Sequence, residues 1–360
     1  MKEVTAIILA AGRGERMCSD LPKVMHRVAG KPMVFYPVAA CKELGLPRIV
    51  VVIGHRKEVV IEGIKDLGVE FSEQLSPLGT AHAVVSTEEK IKDWNGEILI
   101  LSGDVPLITK KTIEEFIENH EKDENDITFM TTAVEDATGY GRVVRTPKGD
   151  IVKIVEEKDA SSEEKAIKEI NAGIYCVASS HLFDLVKGVD KSPEGEYYLT
   201  DIIQKGIDEG LKVSAECLGD CLEVMGVNNK VELSRANEIL RDRILNKMML
   251  EGVTIVAPKH TYIDFGVKVG NETTIYPSVF IEGNSVVEDN CMIEEGCKII
   301  NSHIGKGSNI KSSTVVEDSR VGEGVIVGPF ARLRPGTVLG DEVKIGNFVE
   351  VKNSRINNFS

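Results

Sequence analysis

The stretch Val4-Thr-Ala-Ile-Ile-Leu-Ala-Ala-Gly-Arg-Gly-Glu-Arg-Met-Cys-Ser-Asp-Leu-Pro-Lys23 decides how the amino-terminal part of the chain is read. Its apolar run, Val4 to Leu9, has the composition of a buried strand, and it ends at a turn holding Gly12 and Gly14. Glycine lacks a Cβ, so backbone N–H groups in such a turn can come close to a ligand. Arg13, Arg16 and Lys23 place three cations just past the turn. Backbone donors with cations suit a polyphosphate, and a nucleoside triphosphate site is the first hypothesis. A plain strand-to-helix turn with solvated charges explains the loop alone equally well.

Moving outward, Val4–Leu9, 49–53, 97–101 and 126–131 are short runs rich in β-branched residues. Helical stretches at 33–44, 58–67, 80–91 and 111–120 separate them. This alternation predicts an α/β domain with a mostly parallel sheet covered on both faces. Ligands of such sheets bind beyond the carboxyl ends of the strands, where the Gly12 turn falls.

Other segments bring polar groups to the same edge. Asp104, in Leu99-Ile-Leu-Ser-Gly-Asp-Val-Pro-Leu, is a carboxylate at a strand end; it suits Mg²⁺, and it equally suits the capping of a turn. Asn228 offers a neutral oxygen to a cation, or an N-cap to the helical stretch 230–251. Gln74 and Gly79-Thr80 suit a base or a phosphate, with the first amides of a helix near Thr80 turned to an acceptor. Thr138-Gly-Tyr-Gly-Arg142 reads as a ligand loop or the lead-in to a hairpin. Tyr197 and Tyr198 read as core.

The composition sets limits. In 360 residues, 57 acids against 43 bases give a net charge of −14, which argues against a nucleic-acid surface. No apolar run reaches the length of a membrane span, and Met1-Lys-Glu lacks a secretory signal. The seven cysteines form no C-x-x-C pair. That pattern predicts reduced thiols in the cytoplasm and no zinc.

The carboxyl-terminal third changes period. Val269, Ile275, Ile281, Val287, Ile293 and Ile299 recur every six residues; after a slip of one come Ile304, Ile310 and Val316; after a second come Val321, Val327, Leu333, Leu339, Ile345 and Val351. The residue four after each anchor is usually small, as at Thr273, Ser285, Cys291, Cys297 and Ser308. This hexapeptide pattern predicts a parallel β-helix of about five triangular coils, with Cys291 and Cys297 in its core. The division expected is an α/β domain over 1–229, a connecting helix over 230–251 and a β-helix over 252–360.

Together these segments resemble the sugar nucleotidyltransferases. The match is to the bacterial family of bifunctional N-acetylglucosamine-1-phosphate uridyltransferase/glucosamine-1-phosphate acetyltransferases. It is carried by Leu9-Ala-Ala-Gly-Arg-Gly-Glu-Arg-Met, Leu21-Pro-Lys-Val-Met-His-Arg-Val-Ala-Gly-Lys-Pro, Gly103-Asp-Val-Pro-Leu, Thr138-Gly-Tyr-Gly-Arg, Gly195-Glu-Tyr-Tyr-Leu-Thr-Asp and Gly226-Val-Asn-Asn. The resemblance implies a Rossmann-like domain followed by a left-handed β-helix. It also implies uridylyl transfer from UTP to N-acetylglucosamine 1-phosphate with Mg²⁺, giving UDP-N-acetylglucosamine, a cell-wall precursor, in a cytoplasmic homotrimer.

By resemblance, Leu9, Ala10, Gly12, Gln74, Gly79 and Thr80 receive the nucleotide. Arg16 and Lys23 contact phosphates, and Asp104 and Asn228 hold Mg²⁺. Gly141, Glu156 and Asn171 hold the sugar. Arg332 and Lys352 match basic sugar-phosphate positions of the acetyltransferase site. Glu15 departs from the pattern, which has Thr there, and its charge is expected to point away from the triphosphate. The family pattern continues after Arg355 through a Ser-Lys-Ala-Gly-His stretch carrying the catalytic base, and here the sequence ends at Ser360. The expectation is uridyltransferase activity alone, with no acetyl-CoA bound. Two other readings stay open: a uridylyl- or thymidylyltransferase for another sugar 1-phosphate, and a non-catalytic nucleotide-binding scaffold. A dinucleotide-binding oxidoreductase ranks low, because Met17 stands where the third glycine of that fingerprint belongs.

Overall fold

The computed structural model describes residues 3–193 and 195–360; Met1 and Lys2, part of the signal-sequence reading, lie outside them. The chain divides into two compact units, residues 1–27 with 32–236, and residues 28–31 with 237–360.

In the first unit, Val4–Leu9 is an inner strand of the sheet. It pairs in parallel with Arg48–Ile53 on one side (Thr5 opposite Arg48) and with Glu97–Ser102 on the other (Val4 opposite Glu97). The sheet order is Val213–Cys217, Ile127–Ala133, Glu169–Ala178, Glu97–Ser102, Val4–Leu9, Arg48–Ile53, Glu70–Glu73. The long strand Glu169–Ala178 runs antiparallel to both neighbours and also carries the hairpin Arg142–Arg145/Ile151–Val155.

Successive side chains on a strand face opposite ways, so an unbroken apolar run feeds two cores. Ile8, Val51 and Leu99 join Val38, Val60 and Phe116 from three helices in one core. Ile7, Val50 and Ile98 join Val84, Leu182 and Ile202 in the other. Helices thus cover both faces, as the alternating pattern predicts. The helix expected over 80–91 is two, Thr80–Val85 and Glu88–Ile91. The Ser86 and Thr87 hydroxyls donate to the carbonyls of Ala83 (2.6 Å) and Val84 (2.7 Å) at the break, the local competition these residues offer to a helix.

The second unit consists of three parallel six-stranded sheets, each strand two or three residues long. This is the architecture expected of a left-handed β-helix built from hexapeptides. The anchors stack in register: Ile275 opposes Ile293, which opposes Ile310, then Val327 and Ile345, and all five are buried. Six strands per sheet make six coils rather than the five expected. The extra rungs are Ile255 and Ile263 before the periodic run and Ile356 after it. The first two are separated by a tight turn at Pro258–His260, which lengthens their spacing to eight residues and puts Ile255 out of phase, whereas Ile263 lies six residues before Val269 and continues the period.

The two phase slips fall at the same corner of the triangle. There Asn301 and Asp318 (φ 45° and 41°) close five-residue turns, while Gly283 and Gly336 close the six-residue versions. Another column needs glycine for closeness alone: a Cβ on Gly305 would stand 2.4 Å from the Gly322 carbonyl oxygen. Cys291 and Cys297 are buried, and burial pushes the Cys297 thiol up to about 12, so they are inert core residues.

Truncating a stacked anchor leaves a cavity that rigid neighbouring coils cannot fill. Ile310→Ala is expected to lower stability by about 2–5 kcal/mol in equilibrium urea unfolding. Met292→Ala, on the exposed side of an adjacent strand, should stay within about 0.5 kcal/mol. Equal losses from the two would contradict the stacked-anchor core.

Candidate active site

The site lies past the carboxyl ends of Val4–Leu9 and Glu97–Ser102. The Ala10 N–H donates to the Val52 carbonyl and the Gly103 N–H to the Leu9 carbonyl, both at 2.9 Å, which locks the loop to its neighbours. At Gly12 a Cβ would meet nothing within 4 Å, so the backbone there faces open space. Gly14 is required twice over: its φ is +69°, and a Cβ would stand 2.4 Å from Lys23 Cβ. Leu9, Gly12, Gln74, Gly79, Thr80 and Asp104 line a cavity of about 300 Å³, together with Lys23. Ala10 is buried behind the loop, and Ala11 lines the cavity in its stead. Glu15 is exposed in the turn Glu15–Met17, while Met17 is buried beneath it.

Four residues from three separate segments meet beside this cavity. The Lys23 ammonium pairs with Asp104 Oδ2 and donates to Asn228 Oδ1 at 3.1 Å. Arg16 Nη2 donates to the same Asn228 oxygen at 2.9 Å. Ser102 Oγ donates to Asp104 Oδ1 at 2.6 Å. Burial pushes the Asp104 carboxyl up, but the charge and hydrogen bond of Lys23, with the Ser102 hydroxyl, outweigh it and hold the group below its ordinary value. Two hard oxygens, one anionic and one neutral, therefore converge on a single cationic atom. Mg²⁺ favours one or two such protein ligands beside substrate phosphates, so the donor set fits that ion.

Asn228 does not cap the following helix. Asn229 does: its Oδ1 accepts from the amides of Val231 and Glu232, each at 2.9 Å. This leaves the Asn228 side chain for the cations.

Across the cavity, the Gln74 amide nitrogen donates to the Gly79 carbonyl at 2.9 Å and meets His82 Nδ1 at 3.1 Å. Its oxygen remains as an acceptor for a ligand. Gly79 (φ +109°) lies against Tyr197, whose backbone oxygen would be 2.4 Å from a Cβ there. The Tyr197 side chain is half-buried against the second core. The amides after Gly79 are less available than the sequence suggests. The Ala81 N–H donates to the Tyr197 carbonyl at 2.9 Å, and Thr80 Oγ1 accepts from the Leu199 N–H at 2.8 Å.

Gly141, Glu156 and Asn171 form a second group. The Asn171 N–H donates to the Gly141 carbonyl at 2.9 Å, and a Cβ on Gly141 would lie 3.6 Å from Glu156 Oε1. Two supporting residues escaped the sequence reading. Tyr175 OH accepts from the Asn171 amide at 2.7 Å, brought there by a register shift within the strand. Thr200 Oγ1 donates to Glu156 Oε1 at 3.0 Å, while burial pushes that carboxyl up. A strand bulge and a contact across 44 residues leave no local sequence signal.

The Thr138–Arg142 segment leads into the hairpin, with buried Arg142 paired to Glu157 at 2.6 Å. Its Tyr140 also lines a separate cavity of about 560 Å³ with Lys168, Met225, Glu232 and Arg235. In the other unit, Arg332 lies 3.7 Å from Glu317 on a β-helix strand, and Lys352 is exposed.

Known proteins resemble this chain in sequence across both units. The family described as Nucleotidyl transferase matches residues 5–220, and the one described as GMPPB C-terminal domain matches 260–359. The chain is 47% identical to the bifunctional protein GlmU of Clostridioides difficile, over 98% of this chain and 76% of that protein. It is 48% identical to that of Geotalea daltonii (98% and 78%) and 45% identical to that of Geobacter sulfurreducens (98% and 78%).

The ion pair makes a titration prediction. The Asp104 carboxyl should titrate below the ordinary value of about 3.9 in the wild type. Its contribution to stability is then complete above that value and is lost as pH falls through the depressed one. In Lys23→Met the burial effect is left without its main opponent, and the carboxyl should titrate above the ordinary value. Carbon-13 NMR of the Asp104 carboxyl reads both. An unchanged titration in the variant would contradict the pairing.

Proposed function

The chain belongs to the family of bifunctional GlmU proteins, and on that premise we propose the roles that its residues play. It is a sugar-1-phosphate nucleotidyltransferase, making UDP-N-acetylglucosamine and pyrophosphate by uridylyl transfer from UTP to N-acetylglucosamine 1-phosphate. The observation that carries the residue assignment is the meeting of Arg16, Lys23, Asp104 and Asn228 beside the Gly12 cavity.

The nucleophile is an oxygen of the sugar phosphate, already ionised near neutral pH, so no general base is needed. What the protein supplies is alignment with the α-phosphorus and compensation of charge on the departing pyrophosphate. Leu9, Ala10 and Gly12 form the nucleotide-binding loop, with Gly12 offering backbone that a phosphate can approach. The free oxygen of Gln74 matches the imide N–H of uracil, and Gly79 and Thr80 complete that side. Arg16 and Lys23 hold the phosphate oxygens and stabilise the leaving group. Asp104 and Asn228 would hold Mg²⁺, whose charge would screen the triphosphate. Gly141, Glu156 and Asn171 bind the sugar, with Thr200 and Tyr175 fixing the last two.

On the β-helix, Arg332 and Lys352 are basic contacts for a sugar phosphate. Assembly is through the same unit, as a homotrimer; exposed apolar rings such as Phe330 and Phe348, stacked 5.3 Å apart, support this. A cytoplasmic location accords with the free cysteines, and among the described residues no helix is long and apolar enough to cross a membrane.

Arg16→Ala and Asp104→Ala should each slow turnover about 100- to 1000-fold, the usual effect of removing a preorganised charge stabiliser. A coupled pyrophosphate-release assay measures this, with circular dichroism showing the fold retained. Rates near wild type in both variants would remove the assignment.

A further inference from the structure

Asn228 stands at the cation site on a backbone that two contacts fix. The Val227 N–H donates to the carbonyl of Asp104 at 3.0 Å, tying the segment to the residue that supplies the carboxylate. On its other side, the Asn228 N–H donates to Glu232 Oε2 at 2.6 Å. The second oxygen of Glu232 accepts from Asn229 Nδ2 at 2.7 Å, and the Glu232 N–H donates back to Asn229 Oδ1 at 2.9 Å. In a capping box, an acid at the third helical position returns to the N–H of the N-cap residue itself. Here the same acid reaches one residue further, to the N–H of the residue before the cap.

We propose that Glu232 is a positioning residue for uridylyl transfer, holding Asn228 in register with Asp104 through this displaced cap. The inference rests on the reading of Asp104 and Asn228 as cation ligands. The Asn228 oxygen accepts from both Arg16 and Lys23, so a shift of its backbone disturbs all three groups at once. Glu232 touches neither substrate nor cation in this role; it acts through Asn228. Supporting groups of this kind typically alter metal affinity about 10- to 100-fold when removed. The displaced contact also separates this role from simple helix stabilisation. An ordinary capping box exists elsewhere, where Ser161 and Glu164 exchange bonds at the start of a short helix, and it serves as the comparison.

The test measures pyrophosphate release by the full chain across a range of Mg²⁺ concentrations at saturating UTP and sugar phosphate. Glu232→Ala should raise the half-saturating Mg²⁺ concentration about tenfold, with much of the maximal rate recovered at high Mg²⁺. Glu232→Gln keeps an acceptor for the Asn228 N–H and should restore most of the wild-type affinity even if the Ala variant is poorly folded. Glu164→Ala should lower the melting temperature and leave the Mg²⁺ dependence unchanged. If Asn228→Ala shifts the Mg²⁺ dependence and Glu232→Ala does not, the positioning role is wrong and the cation site stands. If Asn228→Ala itself leaves the dependence unchanged, the cation reading falls and this inference falls with it.

Discussion

A carboxylate shut away from water at the end of a central strand needs a cation. Asp104 is nearly buried, and an isolated charge in that position would be neutralised or would destabilise the fold. Lys23 meets this need, with Ser102 and Asn228 completing its surroundings. Much else follows from placing that lysine. Its stem lies where a side chain on Gly14 would have to go, so the loop must have glycine there. Its ammonium draws in Asn228, which in turn draws in Arg16. A buried ion pair is a weak source of stability, and its better attested use is to fix one arrangement among several. Here the arrangement fixed is the meeting of Asp104, Asn228 and Arg16 around one lysine ammonium.

The scaffold makes this affordable by putting the costly groups at an edge. The apolar runs Val4–Leu9 and Glu97–Ser102 bury their side chains in two cores and end together. Beyond their ends the backbone turns through Gly12 and Gly103, and polar groups face one cavity instead of the interior. The β-helix solves a different problem. Each coil buries its anchors only against the coils above and below, so regular register matters more than any single residue. Shortened corners are tolerated because Asn and Asp adopt the left-handed conformation that a tight corner demands.

The sequence displayed the fold well because both units are built on periodicity. Unbroken apolar runs mark the sheet, and the six-residue spacing marks the β-helix even through two slips. The eight-residue gap from Ile255 to Ile263 hid the first rung, since a turn at Pro258 breaks the period without breaking the stack. At the site, Arg16, Lys23, Asp104 and Asn228 were legible as residue types at strand and loop ends. Their meeting was not, because it joins positions up to 212 residues apart. Local hydrogen bonding also redistributed roles. The cap passed from Asn228 to Asn229, and the Ala81 amide and Thr80 hydroxyl oxygen were taken by the Tyr197 carbonyl and Leu199 N–H. Glu232 resembles any acid in a first helical turn until the carbonyl and amide partners around it are seen.

Uridylyl transfer from UTP to the sugar phosphate requires that an oxygen of that phosphate become bonded to the α-phosphorus. N-Acetylglucosamine 1-phosphate labelled with ¹⁸O in its non-bridging phosphate oxygens, incubated with the purified chain, UTP and Mg²⁺, tests it by phosphorus NMR. The label should appear in the oxygen bridging the two phosphorus atoms of UDP-N-acetylglucosamine, with unlabelled pyrophosphate released. Label in the pyrophosphate, or an unlabelled bridge in the nucleotide sugar, would contradict it.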